Sequence, residues 1–387
     1  MDEIRLSVSA ADQLSSATSS AIEQKHEKIG GPAARRRRNR ILIILLVVVL
    51  VAAGVFVFFR WVRPMFAPLY KTTFLIDSAE GDLTSVMNTL SAVVGNSGER
   101  DSQSLRSFGG ECGADDNTKQ LVEFGTGNRK QIADAARSVR QGTKATLQRG
   151  IVEAVGDFTS GWSQNAKQVN RIIVVTRHGK DACDPDDEFV QTQIRDRVAA
   201  AGLTIEFRFI GYQVSGDREH LRKLTTQLGT QEPTFTDSPD DLKRVLDWYT
   251  ITEPVLRSSQ SVVNVLNPTV DKLNAATAAL KDGRFDTAET AVAAARNAVV
   301  DVEIKDLDGR TSSEAAVRLR DMAVSLRSLQ AAVIEAAGTL LDAARSGRNL
   351  TEPLAVYSKA AEAYNAKAQE MTGELTSLRS KGPGGTS

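Results

Sequence analysis

The stretch RIIVVT at residues 171–176 decides the fold class of this 387-residue chain. Its consecutive β-branched apolar residues predict a strand that is buried on both faces, as strands of parallel sheets are. Further short strands are predicted around it, at residues 72–76, 105–108, 120–124 and 204–210, and helical periodicity separates most of them. This alternation predicts an α/β domain over residues 70–250, with a doubly wound and mostly parallel sheet. Functional residues in such a sheet usually lie at the carboxyl ends of the strands.

An apolar run precedes this domain. Residues 41–59 (ILIILLVVVLVAAGVFVFF) contain no polar side chain, and a helix of this length matches the ~30 Å hydrocarbon layer of a bilayer. We therefore predict a single transmembrane helix and count the lipid bilayer as one partner. An arginine-rich segment lies directly before it, with Arg35, Arg36, Arg37, Arg38 and Arg40. By the positive-inside rule, residues 1–40, which are predicted to be disordered, lie in the cytoplasm, and the chain beyond residue 60 is extracytoplasmic.

A helical pattern follows the α/β domain. Over residues 254–380, apolar residues recur at three- and four-residue spacing in four segments, the second of which runs over residues 285–302. This pattern predicts an all-α antiparallel bundle, and residues 381–387 (KGPGGTS) are predicted to be a flexible tail. The bundle either binds an extracytoplasmic protein partner or a second copy of the chain, or it is a stalk that buries its own apolar seams.

The composition narrows the functional classes. Basic and acidic residues both number 48 and aromatic residues make up 5%, so nucleic-acid binding is not expected. Three histidines and two cysteines are too few for a structural zinc site or for histidine-centred catalysis to be expected. The sequence contains no phosphate-binding loop, nucleophile elbow or zinc-protease motif. His178 is interpreted as a surface polar residue, and an unrecognised hydrolase is kept as the enzymatic alternative.

Both cysteines lie in the predicted extracytoplasmic α/β domain. Cys112 and Cys183 are therefore in a compartment where a disulfide persists, and pairing between them is favoured. Two free buried thiols are the alternative.

The order of the motifs in residues 70–250 resembles the von Willebrand factor A (vWA) domain of bacterial membrane proteins. The first strand ends at Asp77, where the family has an aspartate that opens a D-x-S-x-S motif. Four further segments carry the resemblance: LRSFGGECGADDNTKQLVEFG, GTKATLQRGIVEAV, RIIVVTRHGKDAC, and TIEFRFIGYQ with LGTQEPTFTDSPDDLKRVLD. The resemblance covers a little under half the chain and supports a disulfide between the two cysteines.

The resemblance also implies a divalent-metal site on top of the sheet, but the matching residues depart from the family pattern. The two serine positions are Ala79 and Gly81, the threonine position is Ala145, and the aspartate of the T-D-G turn is Arg177. Only Asp77 is retained, and we expect it to pair with Arg177 in place of a metal. We therefore predict a degenerate site without a cofactor in a non-enzymatic binding or scaffold protein. The alternative is a metal-dependent adhesion domain that holds Mg²⁺ or Ca²⁺ through rearranged ligands: Ser78, Glu80, Asp82 or Thr146.

Overall fold

The computed structural model describes residues 70–159 and 168–383. The predictions for residues 1–40, for the transmembrane helix at 41–59 and for the tail from residue 384 onward lie outside the described residues. Within the two described ranges, no helix combines the length and the apolar character that a membrane span requires.

Residues 70–247, here called the α/β half, form a mixed sheet with helices on both faces. The strands are β1 (Tyr70–Asp77), β2 (Ser102–Phe108), β3 (Thr118–Gly125), β4 (Val169–Thr176), β5 (Ile205–Tyr212) and β6 (Thr234–Thr236). Their order in the sheet is β3-β2-β1-β4-β5-β6, and only β3 runs antiparallel to its neighbour. The helices are α1 (Leu83–Val94), α2 (Arg129–Arg137), α3 (Leu147–Asp157), α4 (Asp187–Ala201), α5 (Arg218–Gln227) and α6 (Pro239–Asp247). The predicted α/β class with a mostly parallel sheet is confirmed.

Two apolar cores lie on opposite faces of this sheet. Successive side chains of a strand point in opposite directions, so neighbours on β1 enter different cores. Phe74 and Ile76 pack against α1, α2 and α6, whereas Leu75 packs against α3, α4 and α5. All three side chains are at most 1% exposed. Strands β1 and β4 are parallel neighbours at the centre of the sheet. Their carboxyl ends therefore lie side by side.

Residues 253–380, here called the helical region, pack around a separate apolar core. The described helices are α7 (Glu253–Lys281), α8 (Phe285–Arg296), α9 (Asp301–Asp308), α10 (Glu314–Arg345) and α11 (Thr351–Ser380). The prediction of one continuous second segment is wrong, because α8 ends at Arg296 and α9 begins at Asp301. Val300 is 1% exposed and packs into the core, whereas Val299 is 60% exposed. The apolar stripe therefore breaks at the turn between the two helices.

The α/β half and the helical region are joined without a linker. A π-helical turn, Trp248–Thr252, continues α6 directly into α7. All the described residues belong to one compact unit. The predicted boundary near residue 250 therefore falls inside a continuous helical path.

Two ion clusters lie at this junction, one buried and one with partly exposed side chains. In the Arg310 cluster, Arg310 donates two hydrogen bonds to Asp101 of the α/β half, at 2.9 and 2.6 Å, and one to Asp306 of α9, at 2.8 Å. The side chains of these three residues are at most 4% exposed. The Arg257 cluster joins β4, β5 and α7 through five residues: Arg171, Glu206, Arg208, Glu253 and Arg257. Because a buried charge is stable only when it is paired, these clusters fix how the two parts pack.

Candidate functional site

The candidate site lies at the carboxyl ends of β1 and β4 and is called the apex below; it comprises Asp77, Gly81, Ala145, Arg177 and His178. Asp77 is the last residue of β1 and is 5% exposed. Thr176 ends the neighbouring strand β4, so the parallel pairing of the two strands brings its hydroxyl next to the Asp77 carboxylate. The loop that follows β4 then contributes Arg177 and His178.

The Asp77 carboxylate accepts hydrogen bonds from several protein groups. Its Oδ1 accepts from the Ala79 N–H at 3.0 Å. Its Oδ2 accepts from the Arg177 N–H at 3.2 Å and lies 2.8 Å from both the Thr176 hydroxyl and His178 Nδ1. The Thr176 hydroxyl also lies 2.7 Å from the His178 carbonyl oxygen. The hydroxyl has a single proton, which it can donate either to Asp77 or to this carbonyl oxygen. A carboxylate offers about four lone-pair sites, so this one is nearly or fully occupied by the protein itself.

His178 holds a position that the sequence analysis did not assign to it. The hydrogen bond to Asp77 raises the pKa of the His178 imidazole above its ordinary value, although burial acts in the opposite direction. The side chains of Thr176 and His178 both contact Asp77, whereas the side chain of Arg177 between them does not. This is the pattern expected when side chains continue to alternate just beyond the end of a strand. The expected Asp77–Arg177 salt bridge is therefore wrong. The two-residue spacing from Thr176 to His178 was the signal that could have identified the histidine.

The Arg177 side chain lies across Gly81 instead. A Cβ atom built on Gly81 would be 1.8 Å from Nη1 of Arg177, and the backbone φ of Gly81 is +142°. Only glycine fits this close approach and this dihedral angle. The Nε and Nη1 atoms of Arg177 are buried and have no hydrogen-bond partner within the described residues. Hydrogen bonds from Ser85 lower the pKa of Asp82 nearby, and the charge of Arg177 acts in the same direction.

The residues at the apex do not fit the divalent metal that the resemblance implies. Ala79, Gly81 and Ala145 supply no side-chain oxygen, and a hard cation needs six or more oxygen ligands in all. Asp77 is engaged by protein donors, and the Arg177 guanidinium adds positive charge where a cation would need to bind. Within residues 70–159 and 168–383, no group of three or more acidic, histidine or cysteine side chains could hold a metal ion.

The alternative ligands are also engaged elsewhere. The Ser78 hydroxyl donates to the Phe108 carbonyl oxygen at 2.9 Å, and the Thr146 hydroxyl donates to the Asn117 carbonyl oxygen at 2.8 Å. Asp82 caps α1 by accepting from the Ser85 N–H at 3.1 Å. Glu80 is exposed. Ser78, Thr146 and Asp82 therefore each hold a structural hydrogen bond in this fold.

A disulfide joins two loops beside the apex. Cys112, in the loop between β2 and β3, is bonded to Cys183, in the loop between β4 and α4, with a Cα–Cα distance of 5.4 Å. The predicted pairing is confirmed. The Cys183 loop is also held by a hydrogen bond from the Ala182 N–H to the Ala145 carbonyl oxygen at 2.9 Å. The Ala145 position is thus a structural contact between loops.

The Asp77–His178 pair has the geometry of two members of a catalytic triad. In such a triad the histidine is the general base and the aspartate orients it. A nucleophile is the missing part. In the described ranges, no hydroxyl or thiol is hydrogen-bonded to the other ring nitrogen of His178. The geometry therefore gives the hydrolase alternative no further support.

No protein-family model matches the sequence, and no curated protein is significantly similar to it. Similar solved structures include the von Willebrand factor type A protein from Catenulispora acidiphila, with 13% identity and a TM-score of 0.37 over 48% of this chain and 42% of that one. The PilB minor pilin from Streptococcus sanguinis has 10% identity and a TM-score of 0.39 over 48% of this chain and 61% of that one. The matched region is thus less than two thirds of either protein.

A third similar structure is the vWF domain of the type V pili tip protein Mfa5 from Porphyromonas gingivalis. It has 12% identity and a TM-score of 0.37 over 48% of this chain and 94% of that one. These similarities concern the fold alone. The sheet order and the helices on both faces make the α/β half a three-layer α/β domain. This chain combines that domain with a helical region that packs against it.

Proposed function

We propose that this protein is a membrane-anchored, extracytoplasmic binding or scaffold protein that recognises a protein partner through the apex without a metal ion. One observation carries the metal-free part of the proposal: protein donors, among them the His178 imidazole, engage the Asp77 carboxylate. The apolar run at residues 41–59 and the preceding arginines carry the anchoring and the topology.

Metal titration tests the first part. We expect isothermal titration of the full-length protein with Mg²⁺, Mn²⁺ and Ca²⁺ to show no binding in the micromolar range. The Asp77→Ala variant is the control, because it removes the one acidic residue retained from the family pattern. Micromolar or tighter binding that disappears in this variant would overturn the proposal and favour the metal-dependent adhesion alternative.

Site-specific photocrosslinking on intact cells tests whether the apex is the recognition surface. Glu80 is exposed at the edge of the apex, and Glu362 is exposed on α11 of the helical region. A crosslinker at Glu80 is expected to capture a partner protein that the same crosslinker at Glu362 does not. Equal capture at both positions would contradict recognition through the apex. Digestion of intact cells by an external protease tests the topology, since an extracytoplasmic α/β half is accessible to it.

Self-association through the helical region stays a prediction. Leu354 of α11 is 51% exposed and gives such a contact a place. If the contact exists, Leu354→Glu lowers the oligomeric state measured by light scattering of the full-length protein. An unchanged oligomeric state would favour the stalk interpretation.

A further inference from the structure

A cleft at the junction of the α/β half and the helical region differs from the apex in its chemical character. Its volume of about 510 Å³ falls within the range of small-molecule sites. Its walls come from α7, from the π-helical turn and from the end of α11. Most of the lining side chains carry amide, hydroxyl or charged groups, and the partly exposed Trp248 supplies an apolar wall.

The charges along and beneath this cleft are balanced, and Glu253 and Arg257 are themselves lining residues. In the Arg257 cluster, Arg257 donates to both oxygens of Glu206 at 2.7 Å and to Glu253 at 2.6 Å. Arg208 donates to Glu253 at 2.7 Å, and Arg171 does so at 3.4 Å.

This cluster therefore contains three guanidinium groups and two carboxylates. The neighbouring Arg310 cluster contains one guanidinium and two carboxylates, and one of its acids, Asp101, also acts on the charge of Arg171. Taken together, four positive charges are matched by four negative charges. The two clusters therefore need no ligand to be neutral.

Arg379 is the exception at the mouth of the cleft. It is exposed, and its one hydrogen bond goes from Nη2 to the amide oxygen of Gln260 at 2.7 Å. In the part of the chain that the structure describes, it forms no ion pair with a carboxylate. Gln260 in turn donates to the Asn264 amide oxygen at 2.9 Å. The carboxamides of Gln260 and Asn264 thus form a row along one side of α7, and the Arg379 guanidinium lies at one end of this row.

This combination selects a class of ligand. A guanidinium with free donors binds a carboxylate, and charge-assisted hydrogen bonds of this kind are about twice as strong as neutral ones. The carboxamides of Gln260 and Asn264 both donate and accept, as ring hydroxyl groups require. Trp248 is partly exposed and offers an apolar surface that the C–H face of a sugar ring can cover. An open, polar cleft suits a hydrophilic ligand better than an apolar one.

We propose that this cleft binds an acidic sugar, with its carboxylate on Arg379 and its ring hydroxyls on the carboxamides of α7. The inference goes beyond the proposed function and does not depend on the apex. The two are distinguishable because the Asp77→Ala variant leaves sugar binding unchanged if this inference is correct.

Calorimetric titration of the full-length protein with D-glucuronate tests the inference. D-Glucose is the matched neutral sugar, and acetate is the matched carboxylate without a ring. We expect glucuronate to bind in the millimolar range and both controls to bind about 10-fold more weakly or not at all. Arg379→Gln keeps a planar hydrogen-bonding group but removes the charge, so it should weaken glucuronate binding about 10-fold. Arg348→Gln, at an exposed arginine in the turn after α10, should leave it unchanged.

Three results would overturn the inference. The first is no heat from glucuronate at tens of millimolar. The second is equal binding of glucuronate and either control, which would show that the ring or the carboxylate is not recognised. The third is equal weakening by the variants at Arg379 and Arg348, which would show a nonspecific charge effect.

Discussion

Replacing Arg310 with methionine should destabilise the whole described unit. The side chain is 2% exposed and is the only cation in its cluster, so Arg310→Met leaves Asp101 and Asp306 as buried carboxylates without a positive charge. Burial alone would lower the pKa of Arg310, but the two carboxylates more than offset this and raise it, which shows how strongly the three groups interact. Removing one partner from a buried ion cluster costs about 3–5 kcal/mol.

The loss should reach beyond the immediate ion pairs. The guanidinium carbon of Arg310 also lies 4.8 Å from the centre of the Tyr70 ring, at the start of β1. A cation–π contact of this kind adds about 0.5–2 kcal/mol, and the methionine side chain recovers part of the packing only. We therefore keep about 3–5 kcal/mol as the expected loss, which lowers the melting temperature by about 4–8 °C for a chain of this size.

Differential scanning calorimetry of the full-length protein measures this shift. A single transition that moves as a whole is expected, because Arg310 joins Asp101 of the α/β half to Asp306 of α9. Arg345→Met is the matched control: Arg345 also bridges two helices through acidic side chains, but it is 44% exposed. Surface pairs of this kind contribute about 0–1 kcal/mol.

Two results would refute this reasoning. One is a shift for Arg310→Met no larger than that of the control. The other is two separate transitions of which only one moves, which would show that the α/β half and the helical region unfold independently.

Three further predictions concern the apex. The Gly81→Ser variant should displace the Arg177 guanidinium and lower the melting temperature, because the new Cβ atom occupies its position; Gly95→Ser, where a Cβ atom meets nothing within 4 Å, is the control. The pKa of His178 is raised in the folded state, so its pairing with Asp77 stabilises the protein at acidic pH, and this contribution is lost as pH rises through the raised pKa; His178→Gln should flatten the dependence of melting temperature on pH in that window. Removing the disulfide with Cys112→Ser should cost roughly 4 kcal/mol by the chain-entropy model for a separation of 71 residues, and a loss below about 1 kcal/mol in denaturant unfolding would contradict that model here.

The local pattern predicted the strands of the α/β half but not their full length. The strand predicted at residues 72–76 extends over Tyr70–Asp77. Its beginning was missed because Lys71 is polar, yet this lysine is 9% exposed and its Nζ lies 4.2 Å from the centre of the Phe124 ring. A contact with a residue on another strand leaves no periodic signal in the sequence near the lysine.

The junction could not be predicted for the same reason. Asp101 and Arg310 are 209 residues apart in the chain. Each looks like an ordinary surface charge beside its own neighbours, and only the folded chain shows that they are buried together. The helical pattern was visible in the sequence, but its interruption between α8 and α9 was not. That interruption depended on which of the adjacent residues Val299 and Val300 packs into the core.

At the apex, the fold brings Asp77, Gly81 and Arg177 of the motif pattern together, but the expected Asp77–Arg177 salt bridge is wrong. The loss of oxygen ligands at Ala79, Gly81 and Ala145 could be read directly from the sequence. Which side chain pairs with Asp77 depends on the direction in which the side chains after β4 point. The amino-acid types of these residues alone do not give that direction. The positions of Arg177 and His178 therefore had to come from the structure.

The departures from the family pattern at the apex depend on one another. The Arg177 guanidinium can lie where it does because residue 81 has no side chain, so a serine at that position would require the end of the Arg177 side chain to move. His178 in turn occupies the side of Asp77 that this arginine leaves open. Restoring one oxygen ligand at a time should therefore create no metal site, since the remaining cations and hydrogen bonds would still oppose an added ion. Only a variant that changes Gly81, Arg177 and His178 together, along with Ala79 and Ala145, removes every obstacle at once. No single substitution therefore converts the apex into a metal site, because its contacts depend on one another.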